Sequence, residues 1–248
     1  MAAALAALML SAFLPTVGHA IDLEAASGRF GVAVLNNTAP TAPSPILNTL
    51  GGSAIVSFAA GLPLTLEPGI DLYWANYEWF DGRAVPTETE RGQGNNVFVL
   101  GFLVDLPLYV TVRFNERLSG AFGLGPAFNL RTSFAGDTTA GFEPEMAANL
   151  ASVSSYFWRE GRWFMPAAAV RFHVFLQEGF TFAVGVKGFL PVYNAWAGDA
   201  PFWDHTILQV NLSMRLSIGK KPVPEPVPAE PTPEAVAEPV PDVPATGP

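Results

Sequence analysis

Phe98–Phe114, FVLGFLVDLPLYVTVRF, places nine apolar side chains on one parity: Phe98, Leu100, Phe102, Val104, Leu106, Leu108, Val110, Val112 and Phe114. The other parity carries Gly101, Asp105, Pro107, Tyr109, Thr111 and Arg113. Successive side chains of a β-strand point to opposite faces, so a period of two reads as a strand with one apolar face. A tilted strand crosses the hydrocarbon of a bilayer with about 9–11 residues. This run has length to spare.

The same period recurs on both sides of it. Val210, Leu212, Met214, Leu216 and Ile218 interleave with Asn211, Ser213, Arg215 and Ser217. Phe122, Leu124, Phe128 and Leu130 interleave with Gly123, Gly125, Asn129 and Arg131. Val170, Phe172, Val174 and Leu176, then Phe182, Val184 and Val186, follow the same rule, as do Leu64, Leu66, Ile70, Leu72 and Trp74. Phe30, Val32 and Val34, with Val56 and Phe58, complete the set more weakly. Eight strands are expected, over 27–36, 53–60, 64–80, 96–114, 120–135, 162–177, 180–198 and 205–219. The gaps 37–52, 81–95, 136–161 and 199–204 are long, while 61–63, 115–119 and 178–179 are short. Long and short connections in alternation are the plan of a transmembrane β-barrel with long outer loops and tight periplasmic turns. The reading is all-β: a closed, eight-stranded, antiparallel up-and-down barrel with both termini on the periplasmic side.

Composition agrees. Of 248 residues, 50% are hydrophobic and only 14% charged, against about 25% charged in ordinary soluble domains. The net charge of −9 argues against a nucleic-acid partner, which calls for a basic face. The chain has no Cys, so neither a disulfide scaffold nor a thiolate metal site is available. Residues 1–20, MAAALAALMLSAFLPTVGHA, are expected to be a secretory signal cleaved after Ala20. That leaves 21–221 as the barrel. Residues 222–248 hold ten Pro and five acids (Glu225, Glu230, Glu234, Glu238, Asp242) without a base, and form an expected disordered, acidic, Pro-rich periplasmic tail. A flexible spacer is the preferred reading of that tail, with docking on a basic periplasmic partner as the other.

A soluble sandwich also alternates, but with its apolar face inward. Three features favour lipid as the partner of the apolar face. The polar parity is built mainly from Gly, Ala, Ser, Thr and Asn rather than Lys and Glu. The apolar parity is long. All six Trp (Trp74, Trp79, Trp158, Trp163, Trp196, Trp203) fall at the long-loop ends of the strands or in the long loops, where an aromatic girdle sits at headgroup level. In hydrocarbon every backbone group must be paired, so the first and last strands must close on each other.

On these residues the chain resembles the small eight-stranded outer-membrane barrels of diderm bacteria, the OmpA-type and OmpW-type barrel domains. The likeness is carried by Leu106–Phe114, LPLYVTVRF, the short turn Asn115–Ser119, and Gly120–Leu130, GAFGLGPAFNL. Inward Gly and the apolar final strand HTILQVNLSMRLSIG add to it. It implies an outer-membrane protein in contact with lipid. The departures are a last strand ending in Ile218–Gly219 rather than on an aromatic residue, and no peptidoglycan-binding domain.

The inward parity carries Glu67, Asp71 and Asp105 with Arg113, Arg131, Arg171, Lys187 and Arg215. Eight strands leave an interior that side chains just fill. Buried charges there must pair, so a structural ion-pair network plugging the lumen is the first reading and a narrow permeation path the second. No catalytic residue is assigned. Asp204 and His205 sit at outer-leaflet height with Thr206 behind them, but no Ser has matching spacing, and His173 beside Arg171 reads as a lumenal hydrogen bonder. No cofactor and no metal are expected. The function expected is a non-enzymatic structural or surface-exposed membrane protein with room for minor permeation. The rivals are a transporter of small hydrophobic molecules through a lateral opening, a lipid-modifying barrel enzyme, and a secreted soluble sandwich.

Overall fold

The computed structural model describes residues 21–40, 42–58, 64–87, 96–135, 144–177, 179–198 and 200–218. The expected signal, the tail, the short turn 61–63, the last residues of the expected barrel and parts of the gaps 37–52, 81–95, 136–161, 178–179 and 199–204 lie outside the described residues.

Among the described residues the alternating runs become twelve strand segments, of which eleven build eight staves and β5 folds back on β4. They are β1 (Ile21–Leu35), β2 (Ile46–Phe58), β3 (Leu64–Leu66), β4 (Gly69–Phe80), β5 (Arg83–Thr87), β6 (Val97–Asp105), β7 (Leu108–Arg113), β8 (Leu118–Gly125), β9 (Ala127–Ala135), β10 (Ala167–Gln177), β11 (Phe180–Phe189) and β12 (Ile207–Ser217). Helix α1 spans Pro144–Trp158, and a single helical turn, α2, spans Asn194–Ala197. All the pairings are antiparallel. The cylinder is closed by β1 against β12, in register from Ala25↔Ser217 to Leu35↔Ile207.

Three staves are made of two segments each, broken at Pro68, Pro107 and Pro126. Proline has no N–H to give to a ladder, so each one interrupts its strand. The register does not shift across the breaks: Ser53↔Gly69 continues as Val56↔Leu66, and Asp105↔Ala127 as Leu108↔Leu124. Ala54 N–H donates to the Pro68 carbonyl, Glu67 N–H to Pro107, Leu106 N–H to Pro126, and Leu190 N–H to Pro166. The proline carbonyls therefore carry the ladder past each missing N–H.

Several boundaries differ from the sequence expectation. β1 and β2 begin earlier than 27 and 53, because Ile21–Ala26 is bulged at Leu23/Ala25 and the start of β2 is poor in apolar residues. Residues 190–198 leave the strand at Leu190–Pro191 and coil into α2. The gap 81–95 contains a strand rather than only loop. Asp81 and Gly82 both have positive φ, +48° and +77°, which matches the tight hairpin turn favoured by Asp-Gly and folds β5 back along β4.

The apolar parity faces out. Phe30, Val32, Val34, Leu108, Val110, Phe122, Leu124, Val170, Phe172, Val184, Val186, Leu208, Val210 and Leu212 are all exposed on the outer wall. They do not meet across two stacked layers. The inward parity packs instead, and glycine makes room for tyrosine. Gly101 lies opposite Tyr73, and Gly123 opposite Tyr109, with each ring laid over the glycine Cα. A Cβ at Gly101 would overlap the Tyr73 ring. Gly101→Ala is expected to cost about 1–3 kcal/mol through overpacking, seen as a lower urea midpoint.

Candidate functional site

The lumen is filled in layers. In the lower one, three carboxylates from one side of the barrel meet three cations from the other. Glu67 sits in the break between β3 and β4 directly before Pro68, Asp71 early in β4, and Asp105 at the end of β6, two residues before Pro107. Arg29 on β1, Arg171 on β10 and Lys187 on β11 face them. Arg29 is the hub. Its Nε donates to Asp71 Oδ1 at 2.5 Å and its Nη2 to Asp105 Oδ1 at 3.2 Å, with Nη1 3.9 Å from Glu67. Lys187 Nζ donates to Asp105 Oδ2 at 2.6 Å and lies 3.8 Å from Asp71. Arg171 donates to Glu67 Oε2 at 2.6 Å and to the Tyr109 hydroxyl at 3.0 Å, while Ser53 donates to Glu67 Oε1 at 2.7 Å. Glycine again provides the space: Gly51 lies against the Asp71 carboxylate and Gly69 against the Arg29 guanidinium. Three positive and three negative groups leave the cluster neutral, and all six side chains are at most 7% exposed. Desolvating so many charges is offset only because nearly every one has a short partner.

Above it, the Tyr73 hydroxyl donates to Asn129 Oδ1 at 2.9 Å, and Gln209 Nε2 to Thr49 Oγ1 at 2.9 Å. The upper lumen holds an apolar cluster: Leu35, Leu47, Ala75, Val97, Val99 and Phe189 are buried together with Val153, Tyr156 and Phe157 of α1. The buried residues of α1 follow the i, i+3, i+4 spacing of one helix face. Phe157 stands edge-on to Tyr77 with ring centroids 5.0 Å apart, so α1 packs on the inner face of β4 and stops the mouth.

The eight inward charges expected from the sequence do not form one network. Glu67, Asp71, Asp105, Arg171 and Lys187 come together. Arg131 is buried on a higher floor, its guanidinium 4.0 Å from the Phe157 ring centroid and donating to the Arg162 carbonyl at 2.8 Å. Arg113 is exposed at the end of β7, donating to the carbonyls of Asn115 and Glu116 in the turn. Arg215 is near the same end, half-buried and paired with Glu24 at 2.9 Å. Both stand at the rim. The hub, Arg29, was missed. Its signal was present: it occupies the parity opposite Phe30, Val32 and Val34, which points inward.

Of the tryptophans, Trp74, Trp158, Trp163, Trp196 and Trp203 are exposed. Trp163 stacks on Phe128 at 5.9 Å, and the Trp196 indole N–H donates to the Glu160 carbonyl at 2.8 Å. Trp79 departs from the expected girdle. It packs inward, edge-on to Tyr156 at 6.0 Å, because Tyr73, Ala75 and Tyr77 set its parity on β4.

Neither a family model nor a curated protein matches the chain. Solved structures do. Neisserial surface protein A is similar with a TM-score of 0.49 and 6% identity over 80% of this chain and 99% of that one. The attachment invasion locus protein Ail of Yersinia pestis, solved with the heparin analogue sucrose octasulfate, gives 0.42 and 7%, covering 79% and 97%. The N-terminal β-barrel domain of Pseudomonas aeruginosa OprF gives 0.34 and 10%, covering 77% and 97%. These are small eight-stranded outer-membrane barrels, and the likeness is one of fold.

Proposed function

We propose that this chain is a non-enzymatic outer-membrane protein in which the barrel is a sealed anchor and the outer loops make the contacts that matter. One observation carries the reading: the cylinder is apolar outside and filled inside. Its outer wall suits hydrocarbon, and its lumen is blocked twice, by a neutral ion cluster below and by α1 above. The protein is exported, and both termini face the periplasm, on the side of the short turns after β7 and β10. The full chain is expected in the outer-membrane fraction, with a gel band that shifts on boiling in SDS. A soluble or unshifted band would overturn the placement. In planar bilayers the folded protein is expected to show no steady conductance, and an open-pore current would remove the sealed-anchor reading.

One feature favours a lateral route for small hydrophobic molecules as the second reading. The β2–β4 ladder ends at Leu50↔Leu72, although β2 runs on to Ile46 and β4 to Phe80. Behind that stretch of wall lie Leu47, Tyr73 and Ala75 of the apolar upper core. Uptake of an alkane probe into vesicles carrying the protein tests it. A rate equal to that of empty vesicles removes it.

A further inference from the structure

His205 has no part in the lumenal ion cluster, yet it is held with unusual care. It stands two residues before β12 with φ +65°, a left-handed backbone uncommon outside glycine. Its ring is buried, 1% exposed, and touches three elements of the mouth. Nδ1 lies 3.4 Å from the Tyr193 hydroxyl just before α2, and the ring is edge-on to Tyr77 of β4 and Tyr156 of α1, at 6.5 and 6.1 Å. Among the described residues Nε2 has no hydrogen-bond partner.

The charges around it are unfavourable to a further cation. Arg83 of β5, Arg131 of β9 and Arg162, in the turn after α1, all act on it, and Arg162 is paired with Glu160 at 2.6 Å. Among the described residues the acid beside the ring is Asp204, 4.0 Å from Nε2. Its carboxylate already accepts from the Thr38 N–H at 2.7 Å and hydroxyl at 2.8 Å, and stands 3.7 Å from Arg83. The phenols of Tyr77, Tyr156 and Tyr193 complete the shell. Burial, against the pull of Asp204 and helped by the arginines, brings the imidazole down to about 4.

We propose that His205 is an acid-released latch of the outer mouth: a proton on its ring unseats α1 and the 190–206 segment while the cylinder beneath stays closed. A charged imidazole among three guanidiniums gains most by reaching water. Reaching it requires the Tyr193–His205 segment to leave Tyr156 and Tyr77, and with them the α1 plug. Leaving also relaxes the left-handed backbone. The lower cluster has no such reason to open, since its acids are bridged to cations. The biological sense of the latch rests on this end facing the outside medium, as proposed above, but the opening itself is testable without that placement.

The sign follows from linkage. The closed state disfavours the proton, so the latch holds above the ordinary histidine value of about 6.5 and is lost as pH falls toward 4. One proton raises the opening constant at most about tenfold per pH unit, or about 300-fold across that window. The experiment is amide hydrogen exchange on the full chain folded in micelles, corrected for intrinsic rates, between pH 7 and 4. Protection of α1 and 190–206 is expected to fall while β10–β12 keep theirs. His205→Asn, which tolerates left-handed backbone and does not titrate, is expected to flatten the profile. The same loss with the same midpoint in His205→Asn would overturn the latch. In the unmodified chain, the ring resonance of His205 gives an independent reading. Proton uptake coincident with loss of α1 protection supports the latch; titration near 6.5 with α1 still protected overturns it.

Discussion

Replacing Arg29 by Met is expected to lower the unfolding free energy by about 3–5 kcal/mol, the cost of taking one partner from a buried ion cluster. The guanidinium touches all three acids, so its loss leaves the cluster with a net negative charge. Asp71 suffers most. Its remaining cation is Lys187, 3.8 Å away and already bound to Asp105 at 2.6 Å. The arrangement also makes the second change unusual in sign. Asp71→Asn in the Arg29→Met background removes the orphaned charge, and the two surviving pairs, Glu67–Arg171 and Asp105–Lys187, each keep a 2.6 Å bond. The double variant is therefore expected to be more stable than Arg29→Met alone by at least about 1 kcal/mol. Urea unfolding from lipid vesicles, run as a double-mutant cycle, measures both. Additive losses would mean that the six groups do not act as one neutral unit.

Alternation gives each strand a parity, and on that parity Glu67, Asp71, Asp105, Arg131, Arg171 and Lys187 are buried while Arg113 and Arg215 stand at the rim. What it lacks is height. Strands of a closed barrel are tilted and staggered, so residues at similar counts along different strands do not share a floor. Arg113 therefore runs past the end of the wall into its turn, and Arg131 rises beside α1 rather than beside Glu67. Polar strand ends were illegible for another reason. The start of β2, Ile46–Gly52, holds Asn48, Thr49, Gly51 and Gly52, whose side chains set little hydrophobic contrast, and only the pairing with β1 makes it a strand. The hairpin at Asp81–Gly82 and the break at Leu190–Pro191 were written in local turn chemistry, and reading 81–95 as loop and 180–198 as one strand passed over both. The role of α1 as a plug depends on Phe157 meeting Tyr77 and Arg131, contacts far apart in the chain.

Val210→Arg is expected to cost about 2–4 kcal/mol in a bilayer, the penalty for an arginine facing lipid near the midplane of a barrel. Val210 lies mid-way along β12, in register with Val32 of β1 on one side and Val186 of β11 on the other. These three valines form a row on the outer wall, each more than 40% exposed. An arginine in that row has no carboxylate beside it and no route to water except along its own length. Ile218→Arg, one residue past the end of the same strand, can carry its guanidinium to the interface and is expected to cost no more than about 1 kcal/mol. The contrast decides what surrounds the wall. On a water-facing sheet an exposed position accepts arginine within about 0.5 kcal/mol wherever it lies, so both variants would behave alike. Urea unfolding from vesicles, read by heat-modifiable gel mobility, separates the cases. A depth-dependent loss requires hydrocarbon around Val210. Equal tolerance at both sites would mean that the exposed apolar parity meets water, and the outer-membrane reading would fail with it.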